Sequence, residues 1–379
     1  MSEKIPKGWK WVKLGEIAEI KTGKTNSQDA DNTGDYPLFD RSSIIKRSKK
    51  FLFNTEAVIV PGEGKEFIPR YYNGKFDLHQ RAYAIFNFKR CIPKFIYYNV
   101  LLNKDIFKSF ATGSTVLSLR LEHFLNFPIL LPPLPEQKAI AEVLSSIDDK
   151  IDLLHRQNKT LEEMAMTLFR QWFIEPTKDG LPEGWEEVKI GDVLDVVLGG
   201  TPSTKVAEYW NGDIPWINSG EINNFRIIKA TKYITASGLR NSNTKLMPKG
   251  TTVLAITGAT LGKVSLLEID TCANQSVVGI VPNDIFPKEY IYLWIKYKID
   301  EIILNETGGA QPHINQNDVR NTVIIKPIKE YLNERNKKLK NIFSKITNNV
   351  FQIRTLEKLR DTLLPKLMSG EVRVKMEIM

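Results

Sequence analysis

The side chains in this sequence that could do chemistry are hydrogen-bond donors rather than nucleophiles or metal ligands. The densest group is Arg41, Ser42, Ser43, Ile44, Ile45, Lys46, Arg47, Ser48, Lys49 and Lys50. Clustered Arg and Lys neutralise phosphates and give salt-dependent affinity for a polyanion; the same run also suits a solvated loop. Gln80 and Arg81 precede the apolar run 82–88, and the later half of the chain repeats the glutamine as Gln275, followed by Ser276. Gln pairs with adenine and Arg with guanine through two parallel hydrogen bonds, although both residues also serve plain strand edges. A glycine loop, Thr112-Gly113-Ser114-Thr115 with Arg120 downstream, has a counterpart from Gly308 to His313 that contains Gln311. Such loops contact phosphates or base edges, or simply close a helix. Their recurrence in both halves favours contact. Asn218, Ser219, Thr257, Thr260 and Lys263 are the candidate contacts in the later half.

Several chemistries lack their motifs. The segment Gly258 to Val264, with Gly262 and Lys263, is one residue short of a phosphate loop and has no Ser or Thr to hold magnesium. His79, His123, His155 and His313 are scattered, with no zinc-binding spacing. There is no GxSxG nucleophile turn. Leu131-Pro132-Pro133-Leu134 has the prolines of the element that amino-methyltransferases use to hold a target amine, but neither its polar nor its aromatic residue. Cys91 and Cys272 form no redox or metal motif, which fits a reducing compartment. No run approaches a membrane span and the N-terminal stretch has no apolar core, so a soluble cytoplasmic protein is expected.

The 379 residues suggest two or three domains, and the net charge of +9 suggests a polyanionic partner. The charge is unevenly spread: +8 over residues 1–135, −3 over 136–180, −3 over 181–324 and +7 over 325–379. Charge alone would not mark the third region as a nucleic-acid binder.

Two long amphipathic stretches must position these groups. From Pro135 to Trp172, apolar residues at Ile140, Leu144, Ile147, Ile151, Leu154, Leu161, Ala165, Leu168 and Trp172, with Asn158 in the gap, alternate in steps of four and three. That is a heptad seam on a helix about 55 Å long, and it calls for a partner helix. The partner runs from Tyr331 to Met368, with Leu339, Ile342, Ile346, Asn349, Ile353, Leu356 and Leu363 on its seam, along with Arg335 and Arg360. A shift of 195 lays Thr160–Phe169 on Thr355–Leu364. Each seam carries one asparagine, which either is a tolerated defect or fixes register.

The repeat extends beyond the helices. Pro6-Lys7-Gly8-Trp9 matches Pro182-Glu183-Gly184-Trp185 at a shift of 176, and the residues from Val12 to Ile17 match Val188 to Val193. Asp35 to Leu38 resembles Asp213 to Trp216, and Gln80 matches Gln275. One ancestral unit, a globular domain followed by a long helix, is therefore present twice, with extra residues in the middle of the second copy. Within each copy, strands (57–62, 82–88 and 127–131; 251–258, 276–282 and 323–327) mix with one aromatic-rich helix (94–110; 288–304). No βαβ rhythm appears, so the fold class is α+β. The expected segments are 1–134, 135–173, 174–326 and 327–379.

Taken in order and twice over, the Pro-x-Gly-Trp lead-ins, the Thr-Gly loops and LPPLPEQKAIAEVLSSIDDKID resemble the specificity subunit of type I restriction–modification systems over essentially the whole chain. The resemblance implies two target-recognition domains and two helices paired as an antiparallel intramolecular coiled coil that acts as a ruler. It implies a non-catalytic chain that binds double-stranded DNA and scaffolds two methyltransferase subunits, with restriction and translocase subunits joining later. S-adenosylmethionine, ATP and magnesium would belong to those partners. Domains at the two ends of a 55 Å rod would lie more than one DNA turn (about 34–36 Å) apart, implying a bipartite, asymmetric site. Ile325 to Glu330 departs from the LPPLPEQ pattern, so the two sides need not bind the partner equally. The rival readings are a DNA methyltransferase or nuclease with built-in specificity, and a coiled-coil scaffold whose heads bind protein.

Overall fold

The computed structural model describes residues 5–113, 116–305 and 314–374. The chain forms two compact units, one of Met1–Asp152 with Thr355–Met379 and one of Leu153–Arg354. Both are α+β, and each contains one globular domain with part of each long helix.

The first unit opens on the Pro-x-Gly-Trp turn. Trp9 N donates to Pro6 O at 3.0 Å, and Gly8 has φ +88°, a left-handed conformation that suits glycine. The strand Lys10–Lys13 then pairs antiparallel with Pro128–Leu131, joining the start of the domain to its end. Between them lies a six-stranded sheet in the order Glu19–Thr22, Ala82–Phe86, Phe53–Pro61, Arg70–Leu78, Tyr36–Phe39, Lys46–Ser48. All neighbours are antiparallel except Tyr36–Phe39 against Arg70–Leu78. The helix expected over 94–110 is two helices, Pro93–Leu102 and Lys104–Phe110. They part at Asn103, whose backbone leaves the helical region (φ −97°, ψ 14°) and whose side-chain amide joins its own backbone N–H on the carbonyl of Asn99, at 2.8 and 3.1 Å.

The second unit repeats this plan. Trp185 N donates to Pro182 O at 3.0 Å, Gly184 has φ +76°, and Glu186–Lys189 pairs antiparallel with Val323–Lys326. Its main sheet runs Asp195–Leu198, Val277–Val281, Thr252–Ala255, Val264–Leu267, Arg226–Ile227. A separate three-stranded sheet holds Lys232–Ile234, Trp210–Ile217 and Cys272–Ala273. The continuous strand Arg70–Leu78 of the first domain corresponds here to two shorter strands, Val264–Leu267 and Cys272–Ala273. That break splits one sheet into two. The aromatic-rich helix, Lys288–Asn305, is unbroken.

The long helices run Leu134–Phe169 and Lys329–Ser369 and pair antiparallel. In the first unit, Arg360 Nη1 on one helix meets Asp148 Oδ1 on the other at 3.0 Å, and Tyr98 Oη donates to Asp148 Oδ2 at 2.7 Å. In the second, Asn349 Nδ2 donates to Asn158 Oδ1 at 2.9 Å with both side chains buried. The two seam asparagines therefore pair with each other. Ile140, Leu144, Ile147, Ile151, Leu154, Leu339, Ile346 and Ile353 are buried as expected, while Leu161, Ile342 and Leu356 are half-buried.

The seam departs from expectation near each C-terminal end. Leu168, Trp172 and Leu363 are only half-buried, and the buried positions belong to Phe169, Phe173 and Leu364. A straight helix drifts against a strict heptad, and these residues leave the helix–helix seam for a domain core. Ala165, Phe169 and Phe173 pack with Trp185, Tyr290 and Trp294 of the second domain. Leu364, Leu367 and Met368 pack with Trp9, Phe95 and Leu131 of the first. Arg335, also expected on the seam, lies over the Tyr331 ring at 4.0 Å. Among the described residues no helix is long and apolar enough to cross a membrane.

The asparagine pair gives a direct test. Replacing Asn158 alone with Leu leaves the buried Asn349 amide without its partner and is expected to cost about 1–3 kcal/mol in denaturant unfolding. Replacing both with Leu should recover most of that loss; equal destabilisation by the single and double variants would contradict the pairing.

Candidate nucleic-acid interface

In the first domain, two of the predicted donor segments are joined by backbone bonds to the turn that follows strand Phe53–Pro61. Gly62 N donates to Arg81 O, and Leu119 N donates to Gly62 O, both at 2.8 Å. Isolated bridges link Glu63 to Ser118 and Thr112 to Ser118. The Gly62 turn, the Gln80–Arg81 turn and the Thr112 loop thus meet at one place. The second domain repeats the two backbone bonds of Gly62: Ile256 N donates to Ser276 O and Ile314 N to Ile256 O, both at 3.0 Å.

A fourth segment lies against the glutamine turn in each domain. Gly23 N donates to Ala82 O at 3.4 Å and Gln80 N to Thr25 O at 3.0 Å; in the second domain Gly199 N donates to Val277 O at 3.0 Å. The approach demands glycine. A Cβ on Gly23 would sit 1.8 Å from Leu78 O, and one on Gly199 would sit 2.1 Å from Asn274 O. The exposed glutamines are steadied by the same segments. Gln80 Nε2 donates to Asn26 Oδ1 at 2.6 Å, and Gln275 Oε1 accepts from Thr201 Oγ1 at 2.5 Å.

The electrostatics of the two sites differ. In the first domain Glu63, with a side chain 10% exposed, faces two arginines. Arg81 Nη1 pairs with its Oε1, and Arg41 Nη1 stands 3.6 Å from its Oε2. The arginine side chains are 55% (Arg41) and 58% (Arg81) exposed. Beneath them, Arg81 N donates to Nδ1 of the buried His79 at 3.0 Å, and burial pushes that imidazole's pKa below its usual value. Lys46 Nζ lies 2.8 Å from the buried Asp40, whose other oxygen accepts from Ser42 N at 2.8 Å. Burial opposes ionisation of Asp40, but the bonds from Lys46 and Ser42 outweigh it and hold the carboxyl at about 2.

The basic stretch is therefore not a bare patch. Arg47 donates to the carbonyls of Gly34 and Asp35, both at 2.9 Å, and Lys49 pairs with Asp31 at 2.8 Å. Lys50 is exposed, with its backbone N on Ser48 Oγ at 3.2 Å. Arg120 is exposed just before the helix Leu121–Leu125. Ser114, Thr115, Gln311 and His313 lie outside the described residues.

In the second domain, Thr257, Thr260 and Lys263 occupy the turn between the antiparallel strands Thr252–Ala255 and Val264–Leu267. A phosphate loop would instead lead from a strand into a helix. Asn218 spends its side-chain oxygen capping the short helix Ser219–Asn223, accepting from Gly220 N at 2.8 Å, and Ser219 is half-buried within that helix. Gln275 instead borders a polar cleft with Gly200, Thr201, Ser203, Asn241, Ser242 and Asn243. This cleft displays amides and hydroxyls where the first domain displays paired charges.

Comparison with known proteins gives this arrangement its setting. The sequence model of the type I restriction modification DNA specificity domain matches twice, over residues 6–163 and 182–359. The chain belongs to that family. It is similar to the type I restriction enzyme MjaIX specificity subunit of Methanocaldococcus jannaschii, at 28% identity over 98% of this chain and 95% of the relative. It is also similar to the HindI specificity subunit of Haemophilus influenzae, at 24% identity over 74% and 78%. The crystal structure of the type I restriction-modification S subunit from M. genitalium shares the fold, with a TM-score of 0.61 at 18% identity, covering 100% of this chain and 98% of that one.

Sequence reasoning missed Glu63, Asp40, Thr201, Ser203 and Asn241 to Asn243. For Glu63 a signal existed: an acidic residue between Gly62 and Gly64, just after a strand, at the point where the second copy has Thr257. Asn241 to Asn243 lie among the extra residues of the second copy, where no repeat marks them, whereas Thr201 and Ser203 fall on Thr25 and Ser27 at the shift of 176, a match that could have singled them out.

The glycine contacts generate a prediction. Gly199→Ala should force the 274–277 turn away, costing about 1–3 kcal/mol as overpacking does. It should raise amide hydrogen exchange at Asn274 to Val277 while exchange at Leu78 to Ala82 stays unchanged. Gly23→Ala should do the reverse, and unaltered exchange in both variants would refute the close approach.

Proposed function

We propose that this chain reads a split, asymmetric site in double-stranded DNA, each domain reading one half through the surface around its glutamine turn. The observation that carries the reading is the same three-way backbone junction in both domains, presenting different side chains on each. A duplicated frame with exchanged side chains suits two unlike half-sites. Arg, Gln and Asn around these junctions are the residue types that read base edges, and the anchored Lys46, Arg47 and Lys49 suit phosphate contacts that set orientation. The paired helices supply the spacer: 36 residues at 1.5 Å each give the first a length of about 54 Å. The duplication also offers two similar surfaces for two copies of a methyltransferase subunit, and restriction and translocase subunits join through that complex. The chain's own part is recognition and assembly. S-adenosylmethionine, ATP and magnesium serve the partners.

Single-molecule sequencing of methylated adenines, in cells making this chain with its methyltransferase partner, tests the reading. A split motif with two unlike halves is expected, and it should vanish when this gene is deleted. An active partner that produces no motif dependent on this chain would overturn it.

A further inference from the structure

We propose that Glu63 orients Arg41 and Arg81 as a guanine-reading pair, so that the half-site read by the first domain contains guanine contacted through its N7 and O6 edge. The inference rests on the DNA-reading role above and deepens it.

Glu63 stands at the centre of the pair. Its carboxylate is buried at the junction of the Gly62, Arg81 and Ser118 segments, where backbone bonds fix its position. One oxygen holds Arg81 Nη1; the other has no hydrogen-bond partner and stands 3.6 Å from Arg41 Nη1. A buried anion in this position is costly unless cations face it. Those cations are more than half exposed, so they are held by one end and open at the other. A guanidinium carries five donors in a planar fork, and one contact to Glu63 leaves enough for a bidentate pair.

Charge decides between a phosphate and a base edge. Two arginines sharing one carboxylate carry a net charge near +1, while buried His79, its pKa lowered, adds none at neutral pH. Phosphate binding gains most from uncompensated charge. A neutral acceptor pair gains from direction, and guanine N7 and O6 present the acceptors that a fixed guanidinium matches. Arg81 also adjoins Gln80, which places two readers on one turn. At the same junction in the second domain the residues corresponding to Glu63 and Arg81 are Thr257 and Ser276, so the arginine device belongs to the first domain alone.

The test uses the full chain assembled with its methyltransferase partner, on duplexes bearing the methylated motif. Each guanine of the motif is replaced singly by 7-deazaguanine, which lacks the N7 acceptor but still pairs with cytosine. Wild-type binding should fall roughly 10- to 150-fold at one or two guanines of one half-site, the worth of the one charge-assisted hydrogen bond to N7. Arg81→Lys, which keeps the charge on an exposed side chain, should bind natural DNA weakly and lose sensitivity to 7-deazaguanine at one position; Arg41→Lys should do so at another. Glu63→Gln should weaken the same discrimination while leaving the dependence of binding on salt unchanged. Specific binding that is indifferent to every 7-deazaguanine, or lysine variants that bind natural DNA as tightly as the wild type and with the same salt slope, as side chains on phosphates would, would overturn the guanine assignment alone. Absence of any sequence-specific binding would instead overturn the DNA-reading role beneath it.

Discussion

Neither long helix can bury its apolar stripe alone, and the rest of the structure follows from how each stripe is covered. Along the middle, the helices cover one another, with Asn158 and Asn349 meeting in the buried seam. Toward their C-terminal ends they turn instead to the globular domains: Phe169 and Phe173 enter the core of the second, Leu364 and Met368 that of the first. A domain is therefore not an appendage on a finished coil. Each helix end completes a domain core, and the units divide the chain within the helices rather than at their starts. The N-terminal turn of the first helix is fixed in the same way: Glu136, buried, accepts from Trp9 Nε1 at 3.0 Å and pairs with Arg373, while Gln137 accepts from Ile92 N at 2.9 Å. The corresponding contact in the second unit is aromatic, Trp185 against Tyr331 with ring centroids 5.2 Å apart. The duplicated frame has kept its geometry while its chemistry diverged.

The same separation of frame from chemistry holds at the proposed reading surfaces. Backbone bonds from Gly62 to Arg81 and Leu119, and from Ile256 to Ser276 and Ile314, make the junction. Such bonds tolerate exchange of side chains, so Glu63 and Arg81 can stand where the other copy has Thr257 and Ser276 without disturbing the strands beneath. Close backbone contacts at Gly23 and Gly199 hold the supporting loops. A recognition protein built this way can change what it reads at small cost to its stability.

Much of this was legible in the sequence because it depends on period and repeat. The heptad steps gave the helices, and the shifts of 176 and 195 gave two copies of one fold; the three strands expected in each copy are present, whereas Arg70–Leu78 and Trp210–Ile217, which carry no unbroken apolar run, were not expected. The departures have local causes. Asn103 splits a helix where its backbone leaves the helical region and its side-chain amide shares the Asn99 carbonyl with its own N–H. Leu168 and Leu363 yield to Phe169 and Leu364 because a heptad pattern assumes a helix as partner, whereas the partner at those ends is a domain core. The basic run from Arg41 to Lys50 looked free because sequence does not show that Asp31, Asp40 and Glu63 lie opposite it. Glu63 itself went unseen because its importance comes from residues far away in the chain.

The claim on which the functional account turns is that the paired helices set the distance between two independently read half-sites. Removing one facing heptad from each helix, with the asparagine pair kept, and sequencing the methylated motif tests it most directly. Seven residues shorten each helix by about 10.5 Å, so the account predicts unchanged half-sites with the spacer between them shortened by roughly three base pairs. A folded, active variant that methylates the original motif with the original spacer would contradict it.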